Sequence, residues 1–80
     1  PDFKVYVTPK DENLIISLFP AAKYDIRVYD LQGKLIHSGL VNNVNSHLVY
    51  LNKLGFRKQI ILIEITDENG NQQVKKLIVR

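Results

Sequence analysis

The sequence predicts an all-β domain of two packed antiparallel sheets. Three observations carry this expectation. The run Ile60-Ile61-Leu62-Ile63-Glu64-Ile65-Thr66 is almost continuously apolar and rich in β-branched residues. Turn signals recur about every eight to twelve residues along the chain. No segment combines a helical apolar period with a capping residue.

Taken in order, Phe3-Lys4-Val5-Tyr6-Val7-Thr8 reads as an edge strand, ended by Pro9, which has no amide hydrogen to give a ladder. After the polar turn Pro9 to Asn13, Leu14, Ile16 and Leu18 share one face and are expected to point into the core. Pro20-Ala21-Ala22-Lys23 is too short for a helix and reads as a crossover. Tyr24, Ile26 and Val28 alternate with Asp25, Arg27 and Tyr29, the pattern of a half-buried strand. Asp30-Leu31-Gln32-Gly33 is a tight turn, with Gly33 free to take a positive φ and Asp30 able to accept backbone hydrogen bonds. Lys34 to Ser38 then returns antiparallel.

Gly39 to Ser46 is irregular and asparagine-rich, and is expected to cross between sheets with Leu40 or Val44 fastening it to the core. His47 to Leu51 forms the next strand, Asn52 to Gly55 leaves it, Phe56 caps one end of the core, and Arg57-Lys58-Gln59 turns into the isoleucine-rich run. That run calls for a strand on each side and cover on both faces. Asp67-Glu68-Asn69-Gly70 is a second turn, with Gly70 its pivot, and Gln73 to Arg80 comes back antiparallel. Leu77 and Val79 have one parity and Val74, Lys76 and Ile78 the other, so a bulge near Lys75-Lys76 is expected if the tail is to be covered. The count is seven strands, and the expected shape is an immunoglobulin-like seven-stranded antiparallel β-sandwich, with a small barrel as the competing shape. The chain has no cysteine or tryptophan, which sets it apart from antibody domains.

Eighty residues make a single domain, 1–80, with room for one core, and about 60% of the unfolded surface is removed on folding. The chain opens with proline and its first residues already read as strand, so it is expected to be part of a longer parent protein. Without cysteine there is neither a disulfide framework nor a thiolate metal site. No apolar run approaches the roughly 20 residues of a membrane-spanning helix, so no direct membrane insertion is expected. The net charge of +3 is spread among acids, a mixed solvated surface rather than a nucleic-acid footprint.

No arrangement declares a catalytic activity, and an enzyme is not expected. His37 and His47 are the only histidines and read as an accidental surface pair, since a structural zinc site needs four converging ligands. Asp25 and Glu64 read as solvated or salt-bridged carboxylates rather than an acid and base pair. Ser17, Ser38 and Ser46 lack a nucleophile turn, and the Ser46-His47 adjacency orients no base. Gly33, Gly55 and Gly70 are isolated turn glycines, not a phosphate cradle. Asp67 to Gly70 echoes the start of a calcium loop without its later glutamate. Tyr6, Tyr24, Tyr29 and Tyr50 are assigned to core or rim packing rather than a stacking platform. No catalytic, cofactor-binding or metal residue is therefore assigned. The basic pairs Arg57-Lys58 and Lys75-Lys76 flank the last hairpin, as a docking surface or as gatekeepers of aggregation-prone strands.

Ile26 to Ile36, Ile63 to Gly70 and the ending Val74-Lys75-Lys76-Leu77-Ile78-Val79-Arg80 together resemble the C-terminal sorting domain of cargo proteins of the Bacteroidetes type IX (Por) secretion system. The similarity covers nearly the whole chain. It implies a domain that directs its parent across the outer membrane, read by translocon or shuttle proteins and in many cases removed by a sortase-like peptidase. The implied location is the periplasm in transit and then the cell surface or medium. Carried over by the motif match, Lys75, Lys76, Leu77, Ile78, Val79 and Arg80 are the candidate recognition residues and Gly33 and Gly70 the turn determinants. The chain departs from the family pattern at Thr8-Pro9-Lys10 and at Gln59-Ile60-Ile61. The alternative reading is a retained structural or interaction sandwich that contacts its parent's other domains.

Overall fold

The structure is a computed structural model that describes residues 4–10, 13–50 and 59–79. It contains five strands, β1 (Lys4–Lys10), β2 (Asn13–Asp30), β3 (Leu35–Tyr50), β4 (Gln59–Asp67) and β5 (Gln72–Val79). All neighbours are antiparallel; the order is β1-β2-β4-β5, with β3 paired to β2.

The expected count of seven becomes five among the described residues, because two segments read as crossovers stay extended. Pro20 to Lys23 lies inside β2 and Gly39 to Ser46 inside β3. These strands cannot be straight. At about 3.3 Å per residue, the 18 residues of β2 and the 16 of β3 would each exceed the molecule's longest dimension of 35 Å. Both strands double over together, and each serves both layers. The first half of β2 pairs with β1 and with the end of β3, and its second half pairs with β4 and with the start of β3.

At the bend the register slips between Ser17 and Ala22 of β2 while β3 advances only from Ser46 to Val44. β2 therefore runs around the outside of the fold and β3 around the inside. The Phe19–Pro20 peptide bond in the outer arc is cis. The Tyr24 hydroxyl donates to the Pro20 carbonyl, tying the strand after the bend to the bend itself. On the inner arc Asn43 has φ +56, a left-handed conformation that asparagine tolerates better than most side chains. The asparagine-rich segment is thus the corner of a strand rather than a loop.

The core is continuous across the fold. Val5, Leu14, Ile16, Leu18, Tyr24, Ile26, Val28, Val49, Ile61, Ile63 and Ile65 are buried in one cluster. The Leu14 and Tyr24 sets occupy the expected inward face. In β4 alternate residues differ: Ile61, Ile63 and Ile65 are fully buried, whereas Ile60, Leu62 and Glu64 are half-buried. The expected cover on both faces is corrected to one face. β4 does have a strand on each side, β2 and β5.

Other expectations also change. The β1 ladder continues past Pro9, which pairs with Leu14, to Lys10. Proline is tolerated there because β1 is an edge and its outward side needs no donor. Of the two residues expected to fasten the corner, Val44 packs against the core, with Val41 beside it, whereas Leu40 is 78% exposed. The register of β4 with β5 runs unshifted from Thr66↔Gln72 to Gln59↔Val79, so no bulge occurs at Lys75-Lys76. Val74 and Ile78 consequently face outward, each 53% exposed, and the tail is an uncovered edge strand. Phe3, the Asp11-Glu12 part of the first turn, Leu51, Asn52 to Gly55, the Phe56 cap, the Arg57-Lys58 pair and Arg80 lie outside the described residues.

Candidate functional site

The two short hairpin turns are built alike. In Asp30-Leu31-Gln32-Gly33-Lys34, Asp30 Oδ1 accepts from the backbone N–H of Gln32 and of Lys34, each at 2.9 Å. In Asp67-Glu68-Asn69-Gly70-Asn71, Asp67 Oδ1 accepts from the N–H of Asn69 at 2.9 Å and of Asn71 at 2.8 Å. Gly33 at φ +88 and Gly70 at φ +85 close the turns in a conformation that suits glycine. Asp67 Oδ2 also accepts from the Asn71 amide at 3.0 Å. Desolvation pushes the Asp67 carboxyl upward, but the hydrogen bonds from Asn71 and Asn69 together outweigh it and hold the group below its ordinary value. Turn chemistry thus accounts for the acidic pattern read as an echo of a calcium loop.

The candidate recognition residues Lys75 to Val79 lie on β5, which among the described residues pairs with β4 alone. They do not form one face. Lys75 and Leu77 stand opposite Ile63 and Ile61 on the inward side, Leu77 packing against the core and Lys75 reaching solvent. Lys76 and Ile78 stand opposite Leu62 and Ile60 on the outward side. Val79 ends the strand, and Arg80 lies outside the described residues. The uninterrupted two-residue alternation of β5 divides them.

The outward face of this half carries Val74, Lys76 and Ile78 from β5, Leu62 and Glu64 from β4, and Asp25, Arg27 and Tyr29 from β2. Glu64 stands opposite Arg27, not Asp25, so the two carboxylates do not meet as an acid and base pair. Arg27 instead pairs with Asp25 at 3.3 Å, and a hydrogen bond with Tyr29, followed by the Asp25 charge, raises its pKa further. On the outward face of the other half, Tyr6 and Phe19 meet edge to face with centroids 6.2 Å apart. Tyr24 is in the core, and Tyr6 and Tyr50 are 53% and 51% exposed. Ser17 and Ser46 pair directly across β2 and β3 on the side opposite His47, so the serine and histidine do not converge.

The histidines differ most from expectation. His37 is the partner of Val28 and His47 of Ile16, so both lie on the inward side of β3. They are ten residues apart in one strand, a separation of about 33 Å if extended, yet their Nε2 atoms are 3.0 Å apart. The fold of β3 brings them together from its two halves. They are a half-buried contact at the sandwich edge, not an accidental surface pair. A sequence signal existed in their position either side of the asparagine-rich corner; which way the corner closes was not legible.

The doubled sheet with one shared core defines the class of protein as a β-sandwich module. It is similar to the crystal structure of a DUF3244 family protein with an immunoglobulin-like β-sandwich fold from Bacteroides vulgatus, at a TM-score of 0.80 and 12% identity, covering 99% of this chain and 95% of that one. Residues 2–79 match the family described as domain of unknown function DUF8694, and the chain belongs to that family. It is also 32% identical over 79 residues to an endo-acting ulvan lyase of Formosa agariphila. That match takes in 99% of this chain but 15% of the curated relative's length. The immunoglobulin-like fold is therefore established for a small all-β domain, with five strands in the described residues.

Proposed function

We propose that the chain is a non-catalytic β-sandwich module of a larger protein, retained as a structural or interaction domain and contacting a protein partner through β5. One observation carries the reading: nearly all of this chain corresponds to a small fraction of a much longer enzyme, the relationship expected of an accessory domain. The activity in that relative's name belongs to the rest of its chain in this reading. β5 suits protein contact because its outer edge is unpaired by another strand among the described residues and its outward side carries Val74 and Ile78 beside Lys76.

A finer reading makes the same surface a type IX sorting signal, with the parent in the periplasm and then at the cell surface or outside it. The exposed placement of Lys75, Lys76 and Ile78 on β5, an edge strand among the described residues, favours it. Translocon or shuttle proteins would be its partners, and a sortase-like peptidase in the cleaved case.

One experiment separates the readings. Residues 1–80 are fused to a folded reporter exported to the periplasm of a type IX-competent cell. A retained module leaves the reporter with the cell and the domain attached. A sorting signal sends the reporter to the surface or medium. In-frame deletion of the domain from its parent is expected to alter the parent's assembly or placement while its catalytic turnover persists; loss of turnover with the remaining protein folded would overturn the non-catalytic assignment.

A further inference from the structure

At the edge of the sandwich the two halves of β3 meet through a pair of histidines. His37 and His47 face each other there with Nε2 atoms 3.0 Å apart, ring centres 5.2 Å apart and ring planes inclined by 36°. The gap between the nitrogens plus one ring radius on each side accounts for the whole distance between centres. Each Nε2 therefore points at the other along the line joining the rings. This is the geometry of an N–H···N hydrogen bond, with one ring donating and the other accepting.

A metal ion does not fit that arrangement. With nitrogen-to-metal distances of about 2.0–2.1 Å, an ion held head-on would need the nitrogens about 4 Å apart, and an ion held to one side would need both rings to turn toward it. Among the described residues no group of three histidine, cysteine, aspartate or glutamate side chains is placed to complete a site.

We infer that His37 and His47 form a proton-operated clasp, closed by a single hydrogen shared between facing nitrogens and opened when both rings carry a full complement of protons. Two neutral rings close it when one bears hydrogen on Nε2 and the other on Nδ1. One added proton, placed on Nδ1 of the donor ring, keeps the bond and strengthens it by charge. A second added proton puts two Nε2–H groups face to face with two like charges, and nothing remains to accept.

Among the described residues no carboxylate forms an ion pair with either ring. The strands packed against the pair turn four other titratable groups inward: Tyr24 and Asp30 on β2, Asp67 on β4 and Lys75 on β5. β1 turns only Val5 and Val7 inward among its described side chains. The Tyr24 hydroxyl is bonded to the Pro20 carbonyl, Asp30 and Asp67 each to its own turn, and Lys75 stands on β5 at the other end of the strand order. Burial lowers the pKa of His37; burial and then the His37 charge lower that of His47. For groups lowered in this direction the folded chain binds fewer protons than the unfolded chain. Their stabilising contribution is complete above the ordinary histidine value of about 6.5 and is lost as pH falls through the folded values.

Opening this contact frees the two halves of β3 at the corner, where among the described residues β2 alone pairs with them. Gly39 reports on the event because it sits beside both rings; a methyl added there would reach His47 Cε1 and Nε2 at 3.6 Å and His37 Nε2 at 3.9 Å.

The test is an NMR titration of the 80-residue chain from neutral pH to about pH 4, following the imidazole nitrogens and the amide exchange of Gly39 and Val49. At neutral pH the rings should show complementary tautomers, one with a protonated Nε2 and one with a bare Nε2. On acidification the pair should titrate in two steps more than about one unit apart. Gly39 and Val49 exchange should rise at the second step and not at the first. In His37→Gln and His47→Gln the remaining ring should titrate in one step, and the abrupt rise in exchange should vanish. Identical tautomers at neutral pH, two independent titrations unchanged by removing the partner, or exchange indifferent to the second proton would each overturn the clasp. The tautomer and exchange measurements on the unaltered chain decide the matter even if a variant does not fold.

Discussion

The Tyr24 hydroxyl donates to the carbonyl of Pro20, four residues earlier in the same strand. The ring is buried at 1% exposure, and burial, with the Asp67 charge adding to it, raises the phenol's pKa and keeps it a donor. One side chain thus fills the core and ties the outer arc of the fold. Tyr24→Phe should keep the packing and lose about 1 kcal/mol, the usual net worth of such a bond. Urea unfolding with an unchanged m-value checks this; a loss of less than a few tenths would show that the hydroxyl does not hold the bend.

Ile63 and Leu62 are neighbours on opposite faces of the central strand, one fully buried and one half-buried. Ile63→Ala should cost about 2–5 kcal/mol through lost burial and the cavity left behind. That approaches the whole stability of a domain this small, about 0.05–0.15 kcal/mol per residue. Leu62→Ala should cost distinctly less. Equal losses would show that the outward face is as deeply covered as the core.

At the inner corner, Asn43 occupies the left-handed region. Asn43→Gly should be neutral or stabilising, whereas Asn43→Val should cost about 1–3 kcal/mol by forcing a β-branched residue into that conformation. Thermal unfolding of the pair checks the sign, and a tolerated valine would mean that the corner turns elsewhere.

Gln73 Oε1 is buried with no hydrogen-bond partner among the described residues. It lies opposite Ile65 on the inward side of β5. Gln73→Leu should stabilise the domain by about 1–2 kcal/mol, replacing an unsatisfied acceptor with a side chain suited to its neighbours. A destabilised variant would show that the amide is satisfied in solution.

On the outward side of β5, Val74→Thr and Ile78→Thr should change stability by no more than about 0.5 kcal/mol. If that face meets a partner, the same changes should reduce the domain's effect on its parent's placement. Neutralising Lys75 and Lys76 to glutamine separates charge from apolar contact. Loss of folding in place of loss of placement would return this strand to a purely structural role.

Local chemistry was legible where it is local. Leu14, Ile16 and Leu18, Tyr24, Ile26 and Val28, and the isoleucines of β4 declared their inward faces by alternation. The two Asp-x-x-Gly turns declared themselves because an aspartate oxygen and a positive-φ glycine act within five residues. The edge position of β1 was legible as well, from its proline.

What the sequence did not contain was the path between those elements. Pro20 to Lys23 and Gly39 to Ser46 have turn-like compositions, yet both remain in strands, because pairing with each other across the bend satisfies backbone groups that a loop would leave to water. The exposure of Val74 and Ile78 depended on an unshifted register with β4, which parity within β5 alone does not fix. The His37 and His47 contact depended on both: it forms only because β3 folds over with the two rings on its inside. Sequence determined the faces and the turns through interactions a few residues long. Tertiary structure decided where strands bend, which edge stays open and which distant side chains meet, because those outcomes are set by pairing across the sheet.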